Sequence, residues 1–430
     1  MKFTSKKITR RSSLTHGTAL TAALGFPSIV PHHVLGDESP SNKVTLGIIG
    51  VGAQGSGLNL NMFLQQKDCQ VVAVCDVVPQ KCVRAKTLID EHYQSSDCRI
   101  FADFRDLLNR PEIDAVCIST PDHWHVPMTQ LALKAGKHVI CEKPTLTIQE
   151  GRELVEAVKQ SGKVFTVGLE DRSLIHYHKM AEAVRNGAIG ELHTIHVGLP
   201  YKKTVYPTLP ESPVPEGVNY AMWLGPAPYE PYNANRMKGQ VWRQIHDYAA
   251  GVLTDWGAHL VDTAQVGNFS ENSSPISVEG SGTIPENAMN DVPNQFNLTY
   301  TYANGVKMHV ESDQPRIRFE GSEGWCGNNG WRGGIEAHDR SIYRRTYKDN
   351  KLWKMPAREQ RNFLDVIRHG AKPNYDAEAL HRLSTTLLIG YTCMQLKRPL
   401  QWNPITEAFV DDAEANALRT RPQYTDWENA

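Results

Sequence analysis

From residue 44 onward, short continuous apolar runs alternate with amphipathic segments. The runs cover 44–49, 71–75, 115–119, 138–141 and 164–168. Between them, 58–66, 80–93, 126–135 and 148–160 place their apolar residues with helical period. Strands that are apolar throughout, rather than alternating, are buried on both faces. Separated by helices, they predict an α/β fold with a doubly wound parallel sheet. Beyond residue 170 the texture changes. A helix over 173–186 and a strand over 191–198 precede a Pro- and aromatic-rich stretch from 200 to 240. Next come a helix over 252–266, strands over 276–283, 295–302, 306–312 and 316–320, and helices over 357–369 and 377–396. Asn304-Gly305 between two of these strands is a hairpin signal, because both central positions of such a turn favour positive φ. The second half therefore reads as an α+β domain on a large, mostly antiparallel open sheet. The expected division is 1–43 leader and linker, 44–170 first domain, and 171–430 second domain.

Composition narrows the function classes. The chain has 430 residues with 46 Lys+Arg against 47 Asp+Glu, which lacks the basic surplus of a nucleic-acid binder. A hydrophobic fraction of 40% with 22% charged residues is ordinary globular composition and excludes wholesale disorder. Residues 6–11 form a basic stretch, followed by a weakly apolar run over 19–30 that Gly25 and Pro27 interrupt. The run is too short and broken for a stable membrane span and suits an export leader. Arg10-Arg11-Ser12-Ser13-Leu14 resembles a twin-arginine signal. The expected location is periplasmic or otherwise extracytoplasmic, reached through the twin-arginine export machinery. That route carries folded proteins, so a cofactor can travel with the fold. The eight cysteines do not form a disulfide-scaffold pattern. Cys75, Cys117 and Cys141 fall in predicted strands and read as small hydrophobes, while Cys69, Cys82 and Cys98 leave one bridge open.

Three segments carry chemistry. Gly50-Val51-Gly52-Ala53-Gln54-Gly55 follows the first predicted strand and opens the first helix. Its glycines permit a tight turn and a close backbone approach to a pyrophosphate. Asp76 ends the second strand, where an acid accepts hydrogen bonds from an adenosine ribose and repels a 2′-phosphate. Val77 follows it rather than Arg or Ser, which favours NAD over NADP. Thr120 and Pro121, after the fourth strand, are expected at the cofactor, with His125 as a neighbour of that loop.

Cys141-Glu142-Lys143-Pro144 lies at the carboxyl end of the fifth strand, where open α/β sheets present ligands. Pro144 excludes helical geometry at Lys143 and aims its amine outward for acid–base work on a hydroxyl. Finally, Asp255, His259 and Asp262 fall on one face of a predicted helix, so that Asp255 can orient the imidazole and Asp262 support it. His123 and His125 lack further ligands at metal-site spacing, and no metal is expected. Tyr220, Trp223, Tyr229, Tyr232 and Trp242 could floor a sugar cleft or clamp an interface. Arg236, Arg243 and His246 could bond sugar hydroxyls or cap their loop.

The strand-GVGAQG start, TPDHWH at 120–125, CEKP at 141–144 and LTDWGAHLVD at 253–262 resemble the glucose-fructose oxidoreductase/inositol dehydrogenase (Gfo/Idh/MocA) family, in the family's order. More narrowly, the leader, WLGPAP at 223–228 and Asp247-Tyr248 resemble exported members. Where the family usually has Gly-Gly before the helix motif, this chain has Ala250-Gly251. The resemblance implies a Rossmann domain and a sheet domain that assembles homodimers or homotetramers. It places Lys143, Asp255 and His259 at the substrate hydroxyl. It also implies an NAD site formed by Gly50, Gly52, Ala53, Gln54, Gly55, Asp76, Thr120, Pro121, His125, Glu142 and Lys143. The implied activity is hydride transfer between a sugar, polyol or glycoside and a tightly bound nicotinamide cofactor. A redox-neutral glycoside hydrolase or lyase passing through a keto-sugar is one alternative, and a non-catalytic sugar-binding protein is another.

Overall fold

The apolar runs of the first half become strands β1 (Val44–Ile49), β2 (Cys69–Cys75), β4 (Ala115–Ile118), β5 (His138–Glu142) and β6 (Phe165–Gly168). The edge strand β3 (Arg99–Phe101), at three residues too short to show in the pattern, completes a parallel sheet of six in the order β3-β2-β1-β4-β5-β6. The structure, a computed structural model, describes residues 42–201 and 204–422. The twin-arginine motif and the apolar run after it lie outside the described residues. β1 stands between β2 and β4, so the strand order reverses beside it. A crevice opens there, outside the carboxyl ends of the strands. The loops carrying Gly50, Asp76, Thr120 and Lys143 leave those same ends.

The second sheet combines β7 (Leu192–Leu199), β8 (Ser277–Thr283), β9 (Gln295–Thr301), β10 (Lys307–Ser312), β11 (Arg316–Gly321), β12 (Gly324–Asn328), β13 (Ile335–Ala337), β14 (Leu400–Asn403) and β15 (Ala408–Phe409). Their order is β13-β12-β11-β7-β10-β9-β8-β14-β15. β7 and β10 pair in parallel and the other pairs are antiparallel. The Asn304-Gly305 turn joins β9 to β10, with Gly305 at φ +86°. Alternation along β9 buries Phe296, Leu298 and Tyr300 beneath the helix Ala377–Leu396. Lys307, His309, Arg318 and Glu320 leave the opposite face polar and at least partly exposed.

The second half returns to the first near its end. Phe363 and Leu364, on the helix Glu359–His369, join the core formed by Leu46, Ile48, Val74 and Ile140. Arg361 pairs with Asp68 at 2.7 Å on the same contact. All eight cysteines are buried free thiols. Among the described residues, no helix is long and apolar enough to cross a membrane.

A candidate active site between the two sheets

The glycine turn after β1 separates into three roles. Gly50 sits at φ +85°, and a Cβ there would come within 2.6 Å of the Ser119 carbonyl oxygen. Only glycine serves that position. A Cβ on Gly55 would strike the Gly50 carbonyl oxygen, so Gly55 lets the following helix start against the turn. Gly52 faces open space, with nothing within 4 Å of a Cβ. Asp76 closes the turn from the end of β2: its carboxylate accepts from Val51 N and Val78 N, each at 3.0 Å. Glu142 Oε1 accepts from Gln54 Nε2 at 3.0 Å and from Asn59 Nδ2 at 2.9 Å. Gln360 of the C-terminal helix donates to Asn59 Oδ1 at 2.8 Å, completing a buried network that sequence spacing did not reveal.

Gly50, Gly52, Gln54, Asp76 and Glu142 line a cavity of about 920 Å³, and Lys143, Asp255, His259, Trp331 and Arg243 line it as well. Lys143 follows β5 through a cis Lys143–Pro144 peptide. Its Nζ donates to the Asp255 carbonyl at 2.7 Å and to Asp255 Oδ1 at 3.0 Å, so the two halves of the chain meet at this amine. Arg243 Nε stands 3.6 Å from Asp255 Oδ2. Burial pushes the Asp255 carboxyl up. Lys143 and Arg243 outweigh that and hold it well below the usual carboxylate range. Asp255 is therefore an anchored anion that fixes the amine, and its two cationic neighbours leave it nothing to protonate.

His259 is where the expected arrangement changes. The predicted continuous helix is broken: Val252–Asp255 ends at Trp256 and a new helix runs Gly257–Gly267. Gly251 enters the first piece at φ +76°, where a Cβ would lie 2.7 Å from Val292 Cγ2, while Ala250 is simply buried. The backbone thus needs glycine only at 251. Asp255, on the first piece, meets Lys143, while His259, on the second, has another partner. His259 Nδ1 donates to Asp171 Oδ2 at 2.6 Å, so Asp171, just beyond β6, orients the imidazole in place of Asp255. Asp262 does not support His259 either. It is 1% exposed and forms a buried ion pair with Arg172 at 2.7 Å. Asp171 could have been sought at the carboxyl end of the last parallel strand, but 88 residues separate it from His259. Trp331, also absent from the sequence reading, packs edge-on against the imidazole at 4.8 Å between ring centroids.

Glu170, Asp171 and His259 bring ligand-type atoms within 4.8 Å of one another, a grouping not visible from spacing. Each has a protein partner: Arg332 pairs with Glu170, and Asp171 accepts a hydrogen bond from the His259 ring. His125 lines the cavity, but its ring is turned to protein carbonyls, Nδ1 at 2.8 Å from Pro144 O and Nε2 at 3.0 Å from Thr120 O. Burial drives its pKa down to about 4, so the ring is neutral and its single N–H donates to one of these two carbonyls. His123 is 2% exposed and bonds the Trp223 carbonyl at 2.9 Å, rather than facing solvent. Tyr220, Trp223, Trp242 and Tyr232 pack together as a small core of their own, with Trp223 and Trp242 also lining the cavity. Tyr229 is exposed. Arg236 and His246 are spent on Tyr248 and Tyr391, leaving Arg243 as the member of that trio that faces the cavity.

Residues 44–169 match the profile of an oxidoreductase family NAD-binding Rossmann fold, and residues 186–429 match that of the same family's C-terminal alpha/beta domain. The chain belongs to the Gfo/Idh/MocA oxidoreductase family. D-glucoside 3-dehydrogenase of Escherichia coli K12 is 29% identical over 154 residues, covering 36% of this chain and 42% of that protein. A glycosyl hydrolase family 109 protein of Solibacter usitatus is 33% identical over 169 residues, 38% of each chain. The chain spans less than half the length of the curated relatives it matches. In fold it is similar to the WlbA dehydrogenase from Bordetella pertussis in complex with NADH and UDP-GlcNAcA. The TM-score is 0.63 and the identity 17%, with 84% of this chain and 99% of that one covered.

The Gfo/Idh/MocA cofactor, NAD, fits this crevice on the chain's own geometry. Gly52 opens onto the cavity where a pyrophosphate needs backbone approach, and Asp76 closes the end where an adenosine ribose belongs. Gly50, Ala53, Gln54, Thr120, Pro121, Glu142 and Lys143 line the space between. Gly55 sits beneath it as a packing residue.

Proposed function

We propose that this chain is an NAD-dependent oxidoreductase that acts on a hydroxyl-bearing carbon of a carbohydrate. The observation that carries the reading is that Lys143, held by Asp255, and the Asp171-oriented His259 both line the cavity that the glycine turn also lines. When bound, the nicotinamide supplies the hydride acceptor. The chain supplies position and proton traffic. Lys143 Nζ, part-buried and fixed by its two bonds to Asp255, is the group that takes or returns the hydroxyl proton. His259 shares that proton through Nε2, the nitrogen its bond to Asp171 leaves available. Trp331 and Trp256, in edge contact at 5.0 Å, wall this end and limit water. Mass spectrometry of the nucleotide released from denatured protein tests the cofactor, and a carbohydrate panel followed by nicotinamide absorbance tests the substrate class. Recovery of no dinucleotide, or absorbance change with simple alcohols alone, overturns the reading.

A second reading is redox-neutral glycoside cleavage, in which a keto-sugar forms, loses its aglycone and is reduced again. The likeness to glycosyl hydrolase family 109 proteins favours it. The twin-arginine-like Arg10-Arg11 stretch would fit it, because export would separate the enzyme from a pool of free cofactor. Aglycone release from aryl glycosides without added NAD selects this reading. We further propose export through the twin-arginine route and assembly as a homodimer or homotetramer through the polar face of the large sheet. A signal-deleted strain and sedimentation of the purified protein test these two points.

A further inference from the structure

The turn between β4 and the helix His125–Lys134 holds a carboxyl that the proposed chemistry leaves unused. Its neighbours are all committed. His123 Nε2 and Trp124 Nε1 both meet the Trp223 carbonyl, at 2.9 and 3.1 Å, and His125 links Thr120 to Pro144. Asp122 is 5% exposed and lines the cavity, yet among the described residues nothing hydrogen-bonds to its carboxyl. A buried carboxyl without a protein partner is costly, and one facing a ligand cavity finds its partner in the ligand.

Asp122 lines the same cavity as Lys143, Arg243, Asp255 and His259. Arg243, Asp255, Lys143 and Arg421 are the charged groups that act on it most strongly. Lys143 gives two bonds to Asp255, Arg243 leans on Asp255 and donates to the Gly239 carbonyl, and Arg421 donates to the His246 carbonyl. Lys143 and Arg243 are thus turned toward Asp255, and the histidines flanking Asp122 are neutral, burial holding the pKa of each near 4.

We propose that Asp122 is a specificity-determining residue, a neutral carboxylic acid that pairs with a hydroxyl of the carbohydrate held against Lys143, donating from one oxygen and accepting at the other. A hydroxyl likewise offers one donor and accepting lone pairs, whereas an ionised carboxylate only accepts. Burial, reinforced by Asp255 and opposed by Arg243 and Lys143, pushes the Asp122 pKa up to about 8, which keeps the donor in place near neutral pH. Two acids facing one cavity thereby divide the work: Asp255 stays ionised to hold the amine, and Asp122 stays protonated to read the sugar.

The inference rests on the carbohydrate reading above, and the full-length protein tests the two separately. Infrared difference spectra of wild type against Asp122→Asn near neutral pH should show a protonated-carboxyl band that fades as pH rises through about 8. Absence of that band overturns the neutral acid. With a turned-over carbohydrate, Asp122→Ala should raise KM by about tenfold, the loss of a hydrogen bond, with NAD binding unchanged. Wild-type KM should climb on the alkaline side of about 8, and Asp122→Asn, which keeps a donor and an acceptor at all pH values, should lose that climb. Turnover with an unmoved KM in Asp122→Ala, or the same alkaline climb in Asp122→Asn, overturns the assignment and leaves the carbohydrate reading intact. Wild-type protein that binds NAD but turns over no carbohydrate overturns the carbohydrate reading and this pairing with it.

Discussion

Lys143 and Asp171 show two ways a side chain becomes functional. Lys143 is legible from its neighbours, because a strand end followed by proline presents its amine at the crevice. Asp171 is legible only in three dimensions, since its partner lies on a helix of the other half. The two should fail differently. Lys143→Ala removes the proton carrier, and kcat is expected to fall by about 100-fold or more while NAD remains bound. Single-turnover absorbance and equilibrium dialysis measure the two effects. Asp171→Asn preserves shape but replaces a charged acceptor with an amide beside the imidazole Nδ1. A loss of about 100-fold in kcat with little change in KM is expected. A change confined to KM would show that His259 binds substrate without moving a proton.

The elements of the first half were readable because buried parallel strands are continuous apolar runs. β3 escaped because it is an edge strand of three residues with Arg99 and Ile100 exposed. In the second half, β12 to β15 run to five residues or fewer, so alternation had too few positions to register. The break at Trp256 was the consequential omission. Helical periodicity continues across it, so the apolar pattern carries no mark of the interruption, and Gly257, where a Cβ would lie 2.7 Å from Leu387, sits in close packing just after it. The broken helix also depends on Gly251. Gly251→Ala should cost about 1–3 kcal/mol, combining positive φ with the collision at Val292. Chemical denaturation reads the stability loss, and disturbed NAD-independent alignment of Asp255 should appear as a further drop in kcat. The neighbouring Ala250→Gly change should do much less, since that position is ordinary buried packing.

For the molecule as a whole, ligand and proton linkage give two expectations. NAD at about 100 times its Kd should stabilise the fold by about 2.7 kcal/mol, and stripping the nucleotide should lower Tm accordingly. Asp122 sets the second. Its folded pKa of about 8 lies above the unfolded value of 3.8, so the folded state binds more protons between them. Its favourable contribution is complete below 3.8 and is lost as pH rises through about 8. Melting curves across that interval should fall less steeply with pH for Asp122→Asn than for wild type. Parallel curves would mean that Asp122 ionises freely in the folded protein.

The helix Glu359–His369 carries a consequence for biogenesis. Phe363 and Leu364 fill the core beneath β1, and Gln360 closes the network around Asn59 and Glu142. A ribosome that has made every strand of the parallel sheet has therefore not yet made a finished dinucleotide cradle. Cofactor loading is expected to wait until synthesis of the chain is nearly complete.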